Sequence, residues 1–339
     1  MNDADAPPAT PPPADAPAPP PDGGADGPAR KGRSKFVLAR RLFSGLLAVA
    51  LCYAGLWWDA RLGSGWILAG LVTVIALVCL REFFRFVDHL TLDERPLNSR
   101  PFVGLAYAVA ALLPAATTWD LLRRAAGQPP VMELSTGLLA FGLAGACLWQ
   151  LTRRRTDGAM VNVALTMLAI GYCAWLPTFF LRLRFLAFPG GAFGSGWEYQ
   201  GVEFVVMGIF LAKNADCGAL LIGRRWGRTK LIPRLSPGKT REGAAGGLAF
   251  SVGLMALCLS TAPGMAMAKL GWPLALGLAL LMALSSMAGD LVESAFKRDC
   301  RQKDAGAGIP GFGGMLDLVD SLMIAGPVMY LFLLLAGAR

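Results

Sequence analysis

Residues 271–289 read GWPLALGLALLMALSSMAG, an unbroken run without a charged side chain. A helix that crosses hydrocarbon needs about 20 predominantly apolar residues. Backbone in hydrocarbon must satisfy its own hydrogen bonds, so such a run is expected to be helical. The pattern recurs along the chain, at 42–58, 65–80, 102–119, 134–151, 160–180, 202–222 and 244–262 before it and 321–337 after it. The expected fold is therefore all-α, a polytopic transmembrane helical bundle of about nine spans. Composition agrees. The 339 residues are 55% hydrophobic and 16% charged, with a mean hydropathy of +0.50, whereas soluble domains carry about 25% charged residues.

Residues 1–34 differ from the rest, rich in Pro, Ala, Asp and Gly with the runs Pro11-Pro12-Pro13 and Pro19-Pro20-Pro21. Such a segment buries too little apolar surface to offset its ordering entropy, so disorder is expected. It lacks an early basic patch followed by a short apolar run, so it does not read as a signal peptide. Residues 35–200 are expected to form N-terminal transmembrane helices. Residues 201–339 are expected to form a catalytic transmembrane region with cytoplasmic loops.

The net charge of +9 does not imply nucleic acid, because no continuous basic face with interleaved aromatics is present. The basic residues instead cluster between apolar runs. With the N-terminus inside, inside segments carry 24 Lys and Arg and outside segments seven. This bias predicts a multi-pass protein with a cytoplasmic N-terminus and its last two polar loops in the cytoplasm.

Several chemistries are excluded. The seven cysteines stand singly with no CxxC pair, which removes a disulfide framework or zinc site and leaves them as small apolar packers. His89 is the only histidine, so neither a Ser-His triad nor a His-based metal site can form. It belongs to REFFRFVDH (81–89), an amphipathic stretch expected at the cytoplasmic interface. Trp57, Trp58, Trp66, Trp119 and Trp197 lie near span ends, where interfacial anchoring accounts for them.

Polar chemistry concentrates in three places in the second half. Lys213 and Asp216 lie three apart inside an apolar run and share a helix face, so they can pair. A charge within a span costs at least about 2.5–3.5 kcal/mol and marks function by default. The second place is RRWGRTKLIPRLSPGKTREG (224–243), whose seven basic residues suit polyphosphate or anionic headgroups. An ordinary positive-inside loop would explain the charge alone, but not the shape of Ser236-Pro-Gly-Lys-Thr240. Its Gly-Lys-Thr is no P-loop, since Pro233 stands where that motif needs glycine.

The third place is GDLVESAFKRDCRQKDAGAGIPGFGGMLDLVDS (289–321). Asp290, Glu293 and Lys297 form one stripe of a helix, and Asp317 and Asp320 open the final span at i, i+3 spacing. A glycine-rich turn, Gly306 to Gly314, joins them. Its GxGxxG pattern follows no strand and is not a dinucleotide site. Carboxylates at two helix ends can converge on a hard divalent cation. Mg²⁺ usually takes one or two carboxylates, with substrate phosphates completing its shell. Acids beside basic loops at a membrane surface thus point to metal-assisted phosphate chemistry.

These residues resemble the phosphatidate cytidylyltransferase family. Ser294, Lys297-Arg298, Lys303-Asp304, Ile309-Pro310, Gly313-Gly314, Asp317 and Asp320 fall at the family's signature spacing without insertion. Ser236 to Thr240 with Glu242-Gly243, and Asp216 to Gly223, match upstream segments. The matches span about 210–322. Phe312, Leu318 and Arg241 depart from the family's His, Arg and Trp.

The resemblance implies CTP + phosphatidic acid → CDP-diacylglycerol + pyrophosphate, a nucleotidyl transfer of phospholipid biosynthesis with Mg²⁺ as cofactor. On that basis Asp290, Asp317 and Asp320 are the expected metal ligands. Asp290, Lys297, Arg298, Lys303 and Asp304 are expected to be catalytic. Asp216, Ser236, Lys239, Thr240, Glu293 and Ser294 are expected to contact substrate. The expected partners are CTP, phosphatidic acid and the lipid bilayer, with a homodimer as assembly and no nucleic acid. The rival readings are a CTP-dependent lipid-alcohol kinase, an inactive paralogue and a membrane transporter. A transporter would carry polar residues across several spans or an internal repeat, and the sequence has neither.

Overall fold

The structure is a computed structural model describing residues 54–59, 61–92, 95–96, 100–128, 133–153, 158–189, 197–301 and 314–338. The expected tail 1–34 and most of the expected span 42–58 lie outside these residues, although 54–59 are helical. Among the described residues, eight helical stretches are long and apolar enough to cross a membrane, corresponding to the second to ninth expected spans.

In chain order the helices begin with α1 Trp66–Val87, α2 Val103–Ala125 and α3 Leu134–Leu151. One span follows from Ala159 to Arg184. It is built of α4 Ala159–Ala169, a π-helical segment Ile170–Trp175, and α5 Thr178–Arg184. Next come α6 Trp197–Trp226 and α7 Arg241–Thr261. A 3₁₀ turn, Ala266–Leu270, leads into α8 Gly271–Asp299, and the last helix is α9 Met315–Leu335.

Two antiparallel hairpins join this helical frame: β1 Thr91–Leu92 with β2 Arg95–Pro96, and β3 Lys230–Ile232 with β4 Ser236–Thr240. The second shapes the basic stretch that sequence alone leaves as a loop. Leu235 N–H closes its turn on the Ile232 carbonyl at 3.2 Å. Residues 81–87 of the REFFRFVDH segment complete α1, with Glu82, Phe83 and Phe86 buried against other helices and Arg81 and Arg85 exposed, the amphipathic division expected of it.

Lipid tails are as apolar as leucine, so helices in a bilayer associate by close packing, and small residues permit it. On α6, Ala215, Ala219 and Gly223 recur every four residues and face Gly243 and Gly247 of α7. A Cβ on Gly243 would lie 2.8 Å from the Ala219 carbonyl oxygen, and one on Gly247 2.7 Å from that of Ala215. Two apolar clusters fill the bundle. One joins α5–α9 through Leu181, Phe204, Leu211, Met255, Leu278 and Met329. The other joins α1, α2 and the π segment to the start of α9 through Leu80, Phe83, Leu113, Ile170, Leu316 and Met323.

Helix N-termini leave backbone donors unpaired. Here carboxylates from other helices accept them. Asp120 of α2 accepts from Leu134 and Ser135 N–H at 2.9 and 2.8 Å. Glu203 of α6 accepts from Ala266 and Met267 N–H at 2.9 and 3.2 Å. Glu82 of α1 accepts from Met315 and Leu316 N–H at 2.9 and 2.7 Å. A fully buried ion pair ties Arg184 Nε to Asp59 Oδ2 at 3.0 Å.

Candidate active site

The site forms where the polar end of α8, the start of α9 and the β3–β4 hairpin meet. The helical period of α8 puts Asp290, Glu293 and Lys297 on one stripe, as expected. Gly289 lets α9 reach that stripe. A Cβ there would lie 2.4 Å from the Asp320 carbonyl oxygen and 2.8 Å from Ser321 Cα. Gly289→Ala is therefore expected to force the two helices apart. A displacement of about 1 Å is worth on the order of 100-fold in rate, so activity should fall steeply in a protein that still inserts. Wild-type kinetics in that variant would separate the α8–α9 approach from catalysis.

Three ion pairs hold the junction. Lys239 of β4 donates to Asp290 Oδ2 at 2.9 Å. Lys297 Nζ lies 3.1 Å from Glu293 Oε1 and 2.5 Å from Asp317 Oδ1. Asp317 Oδ2 also accepts from Gly314 N–H at 3.3 Å. Asp320 is buried beside both Asp290 and Glu293. Arg298 donates to the Leu235 carbonyl at 3.3 Å and ties the end of α8 to the hairpin.

The hairpin is seated by its own acid and cap. Glu242 accepts from Arg228 and Thr229 N–H, each at 3.1 Å, and Arg241 N–H donates to the Thr229 carbonyl at 2.9 Å. Thr240 Oγ1 caps α7 by accepting from Gly243 N–H at 3.1 Å. Thr240 is thus a buried structural residue as well as part of the basic motif. Ser236 opens β4, and Ser294 sits half-buried on α8. Just past α8, burial pushes the Cys300 thiol up to about 11. This leaves it protonated and suits it to packing rather than nucleophilic attack.

Nearer the middle of α6 and α8 lies a second polar group. Lys213 donates to Ser321 Oγ at 2.6 Å and lies 3.5 Å from Asp216 Oδ2. Ser286 donates to Asp216 Oδ1 at 2.6 Å. The expected Lys213–Asp216 pairing is present, but the sequence reading missed Ser286 and Ser321 as its partners. It also missed Glu82, whose signal was an acid set among aromatics at positions 81–87. Lys303, Asp304, the turn from Gly306 to Gly313 and Phe312 lie outside the described residues. Leu318 is on the exposed side of α9, away from the buried Asp320.

Among the described residues, no three His, Cys, Asp or Glu side chains are grouped as ligands of one ion. Magnesium does not require such a cage, since phosphate oxygens and water fill much of its shell. The donor set suits it. Asp290 and Asp320 are adjacent carboxylates, oxygen donors of the kind a hard cation takes. Asp317 Oδ1 is buried with no hydrogen-bond donor in good geometry, despite the nearby Lys297.

The sequence profile of the Cytidylyltransferase family matches residues 39–336, nearly the whole chain. The chain belongs to the cytidylyltransferase family. It is 30% identical over 333 residues to phosphatidate cytidylyltransferase 5, chloroplastic, of Arabidopsis thaliana, covering 93% of this chain and 76% of that protein. The phosphatidate cytidylyltransferase of Synechocystis is 28% identical over 320 residues, covering 87% and 96%. That of Brucella suis is 42% identical over 139 residues, 40% of this chain and 49% of its own. The family match reaches well beyond residues 210–322, so the N-terminal helices belong to the cytidylyltransferase fold.

Proposed function

We propose that this chain transfers the cytidylyl group of CTP to phosphatidic acid, giving CDP-diacylglycerol and pyrophosphate. The observation that carries the reading is the acid–lysine junction of α8, α9 and the hairpin, at the polar end of a membrane bundle of this family. A lipid phosphate oxygen attacks the α-phosphorus of CTP and forms a new P–O bond. The bond from that phosphorus to the oxygen bridging the β-phosphate breaks, and its electron pair leaves on pyrophosphate. The lipid phosphate is already ionised near neutral pH, so alignment and charge neutralisation suffice without a general base.

Among the described residues, each lysine at the junction is paired with a carboxylate. On substrate binding Lys239 and Lys297 would exchange these carboxylates for phosphate oxygens, leaving the carboxylates free to hold a cation. Arg298 and Lys303 add to the neutralisation of the leaving pyrophosphate. Mg²⁺ held by Asp290, Asp317 and Asp320 would supply Lewis-acid neutralisation of phosphate charge. The positive-inside bias supports a cytoplasmic N-terminus and a cytoplasmic junction, within reach of soluble CTP.

The test uses purified protein, phosphatidic acid, Mg²⁺ and CTP labelled in the cytidine. Label is expected in the lipid phase, with pyrophosphate released and both lost on chelation. Release of CDP with no label in lipid would instead identify a lipid kinase.

A further inference from the structure

We propose that Lys213, held by Ser321 and Asp216, is the bilayer-side subsite for the phosphate monoester of the lipid substrate. The assignment rests on the reaction proposed above and deepens it by naming the group that receives the lipid headgroup.

Two ion pairs of the molecule differ in kind. Asp59 and Arg184 show what a structural pair looks like here. Their atoms meet at 3.0 Å with side chains 0% and 1% exposed, and Arg184 also donates to the Asp59 carbonyl at 3.3 Å. Asp59 further accepts from Ile67 N–H at 3.1 Å. Lys213 and Asp216 are different. They stand 3.5 Å apart with side chains 34% and 26% exposed, and Asp216 is drawn toward Ser286 at 2.6 Å. Among the described residues, the one short contact of Lys213 is the neutral Ser321 hydroxyl, at 2.6 Å.

An ammonium has three donors and, at this depth, a strong demand for anionic oxygen. A half-open lysine with one hydroxyl at 2.6 Å and one carboxylate at 3.5 Å still has donor capacity for a further anionic oxygen. A phosphate monoester carries up to two charges on several oxygens, and lysine binds phosphate as a point charge.

Position supports the same occupant. Lys213 precedes Asp216 by three residues on α6, about 4.5 Å along the helix at 1.5 Å per residue, on the side away from the hairpin. Asp216 lies within electrostatic reach of Asp290, and Asp290 pairs with Lys239 of the hairpin. Ser321 adjoins Asp320, so the cation is tied to the helix that carries the junction acids. Neutral diacylglycerol would gain nothing there, so the subsite selects for the phosphorylated lipid.

The test compares wild type with Lys213→Met and Lys213→Arg in full-length protein. Steady-state kinetics should show KM for phosphatidic acid raised about 10–100-fold in Lys213→Met, the worth of a charged hydrogen bond. KM for CTP should stay within about twofold, and Lys213→Arg should recover most of the loss. Direct binding of short-chain phosphatidic acid, against diacylglycerol and inorganic phosphate, should weaken in Lys213→Met for the lipid phosphate alone. Weakening for inorganic phosphate as well would mean a general anion site and overturn the lipid assignment. Unchanged phosphatidic acid binding, or equal losses for both substrates, would make Lys213 a structural residue. If Lys213→Met does not fold, Lys213→Gln takes its place in the same measurements. Binding is read without turnover, so a wild type that binds the lipid but transfers no cytidylyl group would refute the reaction and leave the subsite standing.

Discussion

Asp290→Asn and Asp317→Asn are each expected to lower cytidylyl transfer by at least about 100-fold, the scale of removing one preorganised charge contact. Both variants should remain inserted and monodisperse. The substitutions are nearly isosteric, so packing is preserved while a charge is lost. At position 290 the change leaves Lys239 facing an amide, and it removes the carboxylate adjacent to Asp320. At position 317 it leaves Lys297 with Glu293 alone and removes the buried Oδ1 charge at the start of α9. Rates measured across a Mg²⁺ titration separate two causes. Loss of a metal ligand raises the Mg²⁺ concentration needed for half-maximal rate, whereas loss of lysine orientation lowers the plateau. Near-normal turnover in both variants would remove these acids from the chemistry.

The spans were legible because lipid imposes one rule along the whole chain: long apolar runs, broken by charge. The stripe of Asp290, Glu293 and Lys297 was legible because helical spacing is local. So was the spacing of Asp317 and Asp320. Contacts across the fold were not. Lys239 meets Asp290 across 51 positions, and Met315 meets Glu82 across 233. No periodicity within either segment encodes such a partner. The hairpin was hidden for another reason. Its strands are short and basic, and it is seated by Glu242 and by Arg298 rather than by an alternating apolar pattern. Lys213 shows both cases in one residue. Its i, i+3 acid was visible, while its shorter contact, Ser321, comes from another helix.

Glu82→Ala should lower both stability and transfer rate, with Glu82→Gln falling between it and wild type. The carboxylate is 2% exposed and accepts the first two N–H groups of α9. Each buried donor left without an acceptor costs about 1–3 kcal/mol, and a negative charge at a helix N-terminus also interacts favourably with the helix dipole. Asp317 lies one residue beyond Leu316, so the cap that holds the helix end also aims the acid that pairs with Lys297. Gln keeps one acceptor oxygen and loses the charge, which places it between the two. Asp120→Ala supplies the comparison. Asp120 accepts two N–H groups at the start of α3 in the same way, but α3 contributes no residue to the junction. Its loss should therefore lower thermal stability with the rate per folded molecule retained. For Glu82→Ala that rate should fall about 10–100-fold, in line with an ångström-scale misplacement of the acids on α9. If the two variants lost stability alike and both kept full turnover, Glu82 would be a helix cap only. Loss of turnover in Glu82→Ala alone would show that α1 helps to build the catalytic junction, although its residues lie far from it in sequence.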